Sequence, residues 1–426
     1  MKTIILSAFL LFASITGIAQ WENVAIPGAA TPVTSMYTWG EILMAGTLGD
    51  GIFKTEDNGA NWTDISGNIG NKYVNNIRGG AVPTQMWVST QNGPFYTEDL
   101  VNYSDNTSTG LTTTDISYYW FGGDNGTPAE WAIGTNGGGM FISPELTGPW
   151  TASNNGISGN GLYINDMGGY SDSGTDYAVI GTNDGVYFST DNLASWAQKN
   201  NGLSGGMLQV NALTGMGPVI YIATDNGMIF TYDLGDNWYS IIPDEKFNTL
   251  GAFPNGPGVL FLVFGDGGYY SIDALNFFPL DMSGVNGEVT CFAVNSTHVF
   301  IGIQDSGKDG KLSGGVLRKP IDQIITSTPE IPLSGNSNHI LQQNYPNPFT
   351  SSTTISYLVS EPGFVSLKVY DNTGREIKTL VNTYRKKGAY SVEFTPEIDH
   401  SSILFYTLQI NGCNIAPARK MAFKKN

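Results

Sequence analysis

Residues 178–196 read AVIGTNDGVYFSTDNLASW, and this stretch decides the architecture. Ala178 to Ile180 form an apolar run that ends at Gly181 and Thr182. After a polar turn, Gly185 opens a second apolar run that stops at Ser189. Asp191 then sits in a turn and Trp196 closes the unit. Short continuous apolar runs between turn residues predict strands covered on both faces. The same order recurs along the chain: GIFKT at Gly51, GPFYT at Gly93, GMFIS at Gly139, GVYFS at Gly185, GMIFT at Gly227, GGYYS at Gly267 and GVLRK at Gly315. Successive glycines lie 42, 46, 46, 42, 40 and 48 residues apart, the length of one four-stranded propeller blade. Seven copies predict seven blades.

Each unit begins with an innermost strand of repeated pattern: apolar, Asn or Thr, variable, apolar. The copies start at Val33, Val74, Thr113, Ile164, Val210, Phe247 and Val289. Their second positions are Thr34, Asn75, Thr114, Asn165, Asn211, Asn248 and Thr290, expected to form a ring near one end of the central channel. Its structural role would be to tie each innermost strand to its neighbours, because buried amides and hydroxyls normally satisfy backbone. Its functional role would be a polar collar for water, an ion or a sugar hydroxyl. Closure is also legible. Trp21 lies 12 residues before Val33 as Trp62 lies 12 before Val74, and the seventh unit lacks a tryptophan of its own after GVLRK. The N-terminal strand at Trp21 is therefore expected to complete the last blade and remove the open sheet edges.

After the glycine-led strands come TEDNGANW (55–62), STDNLASW (189–196) and TYDLGDNW (231–238), with looser copies SPELTGPW, TEDLVNY and SIDALNFF. These resemble the Asp-box, or BNR, repeat of sialidases, sortilins and propellers such as the photosystem II assembly factors. The resemblance implies a structural role. Asp57, Asp191 and Asp233 accept turn N–H groups, and Trp62, Trp196 and Trp238 plug the space between sheets.

Composition agrees with an all-β, exported chain. Among 426 residues there are 54 glycines, 12% aromatics and only 13% charged residues, as expected of many short strands joined by tight turns. The net charge is -17, and Trp21 to Pro329 carries 9 Lys+Arg against 30 Asp+Glu. That excess repels phosphate backbones, so no nucleic-acid partner is expected. Residues 1–19 read as a signal peptide, with Lys2, an apolar stretch and cleavage between Ala19 and Gln20. No later segment is long enough to be a transmembrane helix. Cys291 and Cys413 fall in different predicted domains and are expected to be free.

A Pro- and Ser-rich linker spans 326–337, and a small immunoglobulin-like β-sandwich is expected over 338–426. The run Asn344-Tyr345-Pro346-Asn347-Pro348-Phe349, the VYDNTGRE turn with Gly374, then Gly388, Tyr390 and a C-terminus ending in Lys424 and Lys425 resemble the type A sorting domain of type IX secretion cargo in Bacteroidetes. That resemblance implies the type IX machinery as partner and a destination outside the cell or on its surface. The full expectation is a signal peptide over 1–19, a seven-bladed β-propeller over 20–325, the linker, and the sorting domain.

The residues give little chemistry. Sialidases hold the substrate carboxylate with three arginines, whereas the predicted propeller contains only Arg78 and Arg318. His298, His339 and His400 show no metal-ligand spacing. No nucleophile elbow, P-loop or dinucleotide fingerprint occurs. No catalytic residue, cofactor or metal is expected, although calcium at the acidic loops 48–50 or 122–126 is compatible with composition. The leading expectation is a non-catalytic binding scaffold for a glycan or protein. A carbohydrate-active enzyme with paired carboxylates and an extracytoplasmic assembly factor are the alternatives.

Overall fold

A computed structural model of the chain describes residues 20–425 except 107–108, 123–129, 173–174, 217–218, 232, 256–257, 273–276, 307–311, 326–339, 342–343, 345, 360–362, 387, 399, 411–412 and 415–417. The expected signal peptide, its cleavage point at Ala19 and the linker lie outside these residues, as does most of the acidic loop at 122–126.

The described residues between Glu22 and Pro320 form seven four-stranded antiparallel sheets. Blade 4 is typical: Ile164–Asp172, Thr175–Thr182, Gly185–Ser189 and Ala197–Gln198 lie side by side in chain order, from the channel outward. The second and third strands are apolar at almost every position because neighbouring sheets cover both faces. Val179, Ile180 and Val186 are fully buried. Seven separate apolar clusters fill the gaps between successive sheets; Val179, Val186, Val210 and Ile222, for example, meet between blades 4 and 5. Close approach of adjacent sheets explains Gly181, since a Cβ there would lie 2.6 Å from Cγ1 of Val210 in the next blade.

The ring closes as the sequence predicts. Blade 7 is built from Glu288–Val294, His298–Ser306 and Leu312–Pro320, and its fourth strand is Glu22–Asn23 from the N-terminus. Glu22 pairs with Arg318 and Asn23 with Leu317. The Arg318 guanidinium bonds the Glu22 carboxylate at 2.9 Å.

The described residues beyond 340 form two sheets. Ile340–Leu341, Thr353–Val359 and Gly388–Phe394 make the smaller one; Glu376–Arg385, Gly363–Tyr370 and Ser402–Ile410 are the body of the larger, with Arg419–Phe423 pairing Ser402–Ile410. Alternate residues of both sheets, including Ile355, Val365, Leu367, Leu404, Tyr406 and Phe423, bury one common core.

Candidate functional site: the central channel

The innermost strands enclose a channel of about 540 Å³. Six of the seven expected ring residues line it: Thr34, Asn75, Asn165, Asn211, Asn248 and Thr290. Each is the extra residue of a β-bulge, between Val33 and Ser35, Val74 and Asn76, Ile164 and Asp166, Val210 and Ala212, Phe247 and Thr249, and Val289 and Cys291. A bulge turns its extra side chain out of the sheet ladder, which aims these residues at the next blade.

Thr114 is a correction. It lies before the strand, is exposed, and does not line the channel. Blade 3 starts its innermost strand at Ile116, and the bulge falls between Ile116 and Tyr118. The ring position is therefore Ser117, which does line the channel. The same pattern is present as Ile116-Ser117-Tyr118-Tyr119 once serine and a buried tyrosine are admitted.

The ring forms a circle of inter-blade bonds. Thr34 Oγ1 donates to the carbonyl of Val74, Asn75 Nδ2 to Ile116, Asn165 Nδ2 to Val210, Asn211 Nδ2 to Phe247, Asn248 Nδ2 to Val289 and Thr290 Oγ1 to Val33, at 2.5 to 2.8 Å. Each donor reaches the residue just before the bulge of the next innermost strand. The short Ser117 side chain makes no such link, and its Oγ is buried without a partner. Replacing Asn165 with alanine is expected to cost about 1 to 2 kcal/mol, because the Val210 carbonyl loses its donor. Threonine there should stay near the parent value when both variants are unfolded in urea, since Thr34 and Thr290 already make this bond.

A second circle runs around the rim. The indole N–H of Trp62, Trp150, Trp196 and Trp238 and the hydroxyl of Tyr103 donate to the carbonyls of Val24, Asn106, Ser153, Lys199 and Ile65, each just past the outer strand of the preceding blade, at 2.7 to 3.1 Å. Trp21 does the same for blade 7, donating to Asp281 at 3.0 Å. The turn carboxylates behave alike. Asp57 accepts from the Asn61 N–H at 2.8 Å, Asp191 from Ser195 at 2.9 Å and Asp233 from Asn237 at 2.9 Å. Bonds from the Asn61 side chain and backbone and from Thr55 pull the Asp57 pKa down to about 2. Asp99, in the looser copy TEDLVNY, accepts from the Asn102 N–H in the same manner.

Two carboxylates line the channel beside the ring. Glu288 is bonded to Lys246 at 2.5 Å and to Asn248 at 3.0 Å. Asp166 accepts from the backbone N–H groups of Met167 and Leu213, both at 2.8 Å. Burial pushes its pKa up to about 6, against the pull of those N–H groups, Arg78 and Tyr118. The ordinary value is 3.8, so the folded chain holds the extra proton in the window between. This contribution is complete below about pH 4 and is lost as pH rises through about 6, up to about 3 kcal/mol. Asp166→Asn should remove that slope from urea-unfolding free energies measured across the window.

Both arginines expected to be too few for a sialidase are held by protein groups. Arg78 bonds the Tyr118 hydroxyl at 2.7 Å, and Arg318 bonds the Asn58 carbonyl at 2.6 Å as well as Glu22. Asp50, in the acidic loop at 48–50, accepts from Ala30 N–H and Thr31 N–H and hydroxyl at 2.7 to 2.9 Å. No group of three or more His, Cys, Asp or Glu among the described residues is arranged to hold a metal. Cys291 is a buried free thiol whose pKa burial pushes up to about 12.

Of the residues quoted for the C-terminal domain, Asn347 and Phe349 bond its last described strand, Arg419–Phe423, while Asn344 bonds Tyr406 in the strand paired with it. Asn344 donates through Nδ2 to the Pro346 carbonyl and to Thr353, at 3.0 and 2.9 Å, while its backbone N–H reaches the Tyr406 hydroxyl. Asn347 accepts from the Ala422 N–H, and the Asn347–Pro348 peptide is cis. Phe349 is buried against Phe394 and Phe423 and exchanges backbone bonds with Ala422 and Lys424. Gly374 takes a φ of +87° in the Asp371 turn. Tyr390 stacks on Tyr357, Gly388 pairs with Val359, and Lys424 and Lys425 are exposed.

No family profile and no curated protein matches the chain in sequence. Several solved β-propeller structures match its fold. The extracellular domain of BT4673 from B. thetaiotaomicron aligns with 96% of this chain at a TM-score of 0.52 and 12% identity, and this chain spans 59% of that one. An ancestral GH74 enzyme, AFV00434, aligns at 0.51 and 13% identity over 95% of this chain and 63% of its own. YCF48 bound to D1 peptide aligns at 0.50 and 15% identity over 70% of this chain and 96% of its own. At such identities what is shared is the fold: the chain is an all-β protein built on a β-propeller.

Proposed function

We propose that this chain is an extracellular or cell-surface β-propeller that binds a glycan or a protein without turning it over, and that its C-terminal domain directs it through type IX secretion. The observation that carries the non-catalytic part is that both carboxylates in the channel wall, Asp166 and Glu288, are already bonded to protein groups. A glycosidase needs one carboxyl free to deliver a proton and another free to act as base or nucleophile. The turn repeats act as Asp-boxes of structural type, consistent with carboxylates satisfied by their own turns. The sorting role is supported by the bonds of Asn347 and Phe349 to the final strand and of Asn344 to the strand beside it.

A glycan array run beside a polysaccharide-hydrolysis screen tests binding; retention without product release is expected, and released product would overturn the non-catalytic proposal. Fusing residues 338–426 to a periplasmic reporter in a type IX host tests export. The reporter should reach the medium or cell surface, and a reporter left in the periplasm would refute the sorting role.

A further inference from the structure

The six Asn and Thr side chains of the collar offer the channel one kind of hydrogen-bonding group, while Ser117 at the seventh position and Asn76, Asn136 and Gln304 elsewhere in the wall also carry donors. Asn75, Asn165, Asn211 and Asn248 each have two amide hydrogens, and both are engaged within the protein. One goes to the next blade's carbonyl; the other goes to Asp115, Asn183, Asp225 and Glu288 respectively, at 2.8 to 3.0 Å. The single hydroxyl hydrogens of Thr34 and Thr290 point at the Val74 and Val33 carbonyls. Because backbone carbonyls can only accept, these contacts fix which end of each amide faces the wall. What remains is lone pairs. No donor among the described residues reaches the four amide oxygens, and they are not sealed from solvent as Asn76 Oδ1 is.

Anions and neutral acceptors find no partner among those six side chains. A sugar hydroxyl can donate, but its own lone pairs stay unmet. A dehydrated metal ion needs six or more oxygens at about 2.3 to 2.6 Å, which a channel of about 540 Å³ does not gather. An ammonium group carries three donors and no acceptor, which complements the collar. The surrounding charge has the matching sign: Asp115, Asp225 and Glu288 hold the ring amides, with Lys246 as the cation bonded among them.

We propose that the collar formed by Thr34, Asn75, Asn165, Asn211, Asn248 and Thr290 is a binding site for a primary ammonium group, supplied by a free polyamine or by a lysine side chain of a protein partner. The inference rests on the scaffold proposal for its biological meaning, while its chemistry stands separately. A glycan array that fails leaves it intact, and its own failure leaves glycan binding at the loops untouched.

The test is calorimetric titration of the whole chain with spermidine at low salt. A parallel titration uses fully acetylated spermidine, and a third uses a capped Ala-Lys-Ala peptide. The variant is Asn75→Thr, Asn165→Thr, Asn211→Thr and Asn248→Thr together, which keeps each inter-blade donor and exchanges the amide oxygen, which projects beyond that bond, for a hydroxyl oxygen that is itself the bonded atom. Spermidine or the lysine peptide should bind, acetylation should weaken spermidine at least about tenfold, and the fourfold variant should lose at least about tenfold. Tighter binding of spermidine than of the peptide assigns a polyamine; the reverse assigns a lysine. Should the fourfold variant not fold, Asn211→Thr alone should weaken binding by about threefold. No heat with either amine at about 1 mM, unchanged affinity in the variant, or full displacement by an equal concentration of magnesium would overturn the proposal.

Discussion

Trp21→Ala is expected to destabilise the propeller by about 4 kcal/mol and to lower its melting temperature by roughly 10 °C. Trp21 is buried at 5% exposure, packs edge-on against Phe264 with ring centres 6.3 Å apart, and donates its indole N–H to Asp281. It also covers Lys319, whose ammonium lies 5.8 Å from the ring and is 3.4 Å from the Asp281 carbonyl. Lys319 is 1% exposed, and burial lowers its pKa. Removing the indole therefore opens a cavity and strips a buried cation of its cover. Trp21→Phe keeps most of the packing and loses the N–H bond, so it should cost only about 1 to 2 kcal/mol. Differential scanning calorimetry of the three proteins reads both effects. A Trp21→Ala variant melting with the parent would mean that the N-terminal strand contributes nothing to blade 7.

The second large effect is expected at the other end of the chain. Phe349→Ala should cost the C-terminal domain about 4 kcal/mol, because Phe349 is 2% exposed and its ring meets both Phe394 and Phe423. The damage should be localised. Phe349 also binds the final strand through its backbone, accepting from Lys424 at 2.8 Å and donating to Ala422 at 3.0 Å. Hydrogen exchange should accelerate most at Met421 to Phe423, with the propeller amides unaffected, since no propeller residue belongs to that apolar cluster. Equal protection of Met421 to Phe423 in both proteins would show that the Asn-Tyr-Pro-Asn-Pro-Phe run does not hold the strand.

Much of the fold could be read before any coordinates because middle strands of a propeller are buried on both faces. The runs at Val179-Ile180 and Leu260 to Phe264 are apolar without alternation for that reason. Closure was legible because Trp21 stands at the same distance from its innermost strand as Trp62. The candidate site was legible only in part. The ring depends on a bulge, and a bulge shifts register without changing residue type, so the sequence pattern points to Thr114 where the fold places Ser117. Asp166 fills the variable position of the innermost-strand pattern in the sequence. Its raised pKa comes from burial beside strands far away in the chain. Lys319 is likewise an ordinary lysine until Trp21, nearly three hundred residues earlier, folds over it.

Closure of the ring by the N-terminal strand can be measured directly by cross-linking. Glu22 and Arg318 are facing residues of adjacent antiparallel strands, a Cα separation of about 5.5 Å that a disulfide can span. The double variant Glu22→Cys, Arg318→Cys should oxidise to an intramolecular bridge, seen as a faster-migrating monomer that reverts with reductant, and should melt above the reduced form. Free thiols at both introduced positions after mild oxidation, or disulfide-linked dimers in place of the bridged monomer, would mean that the two ends of the propeller do not share a sheet.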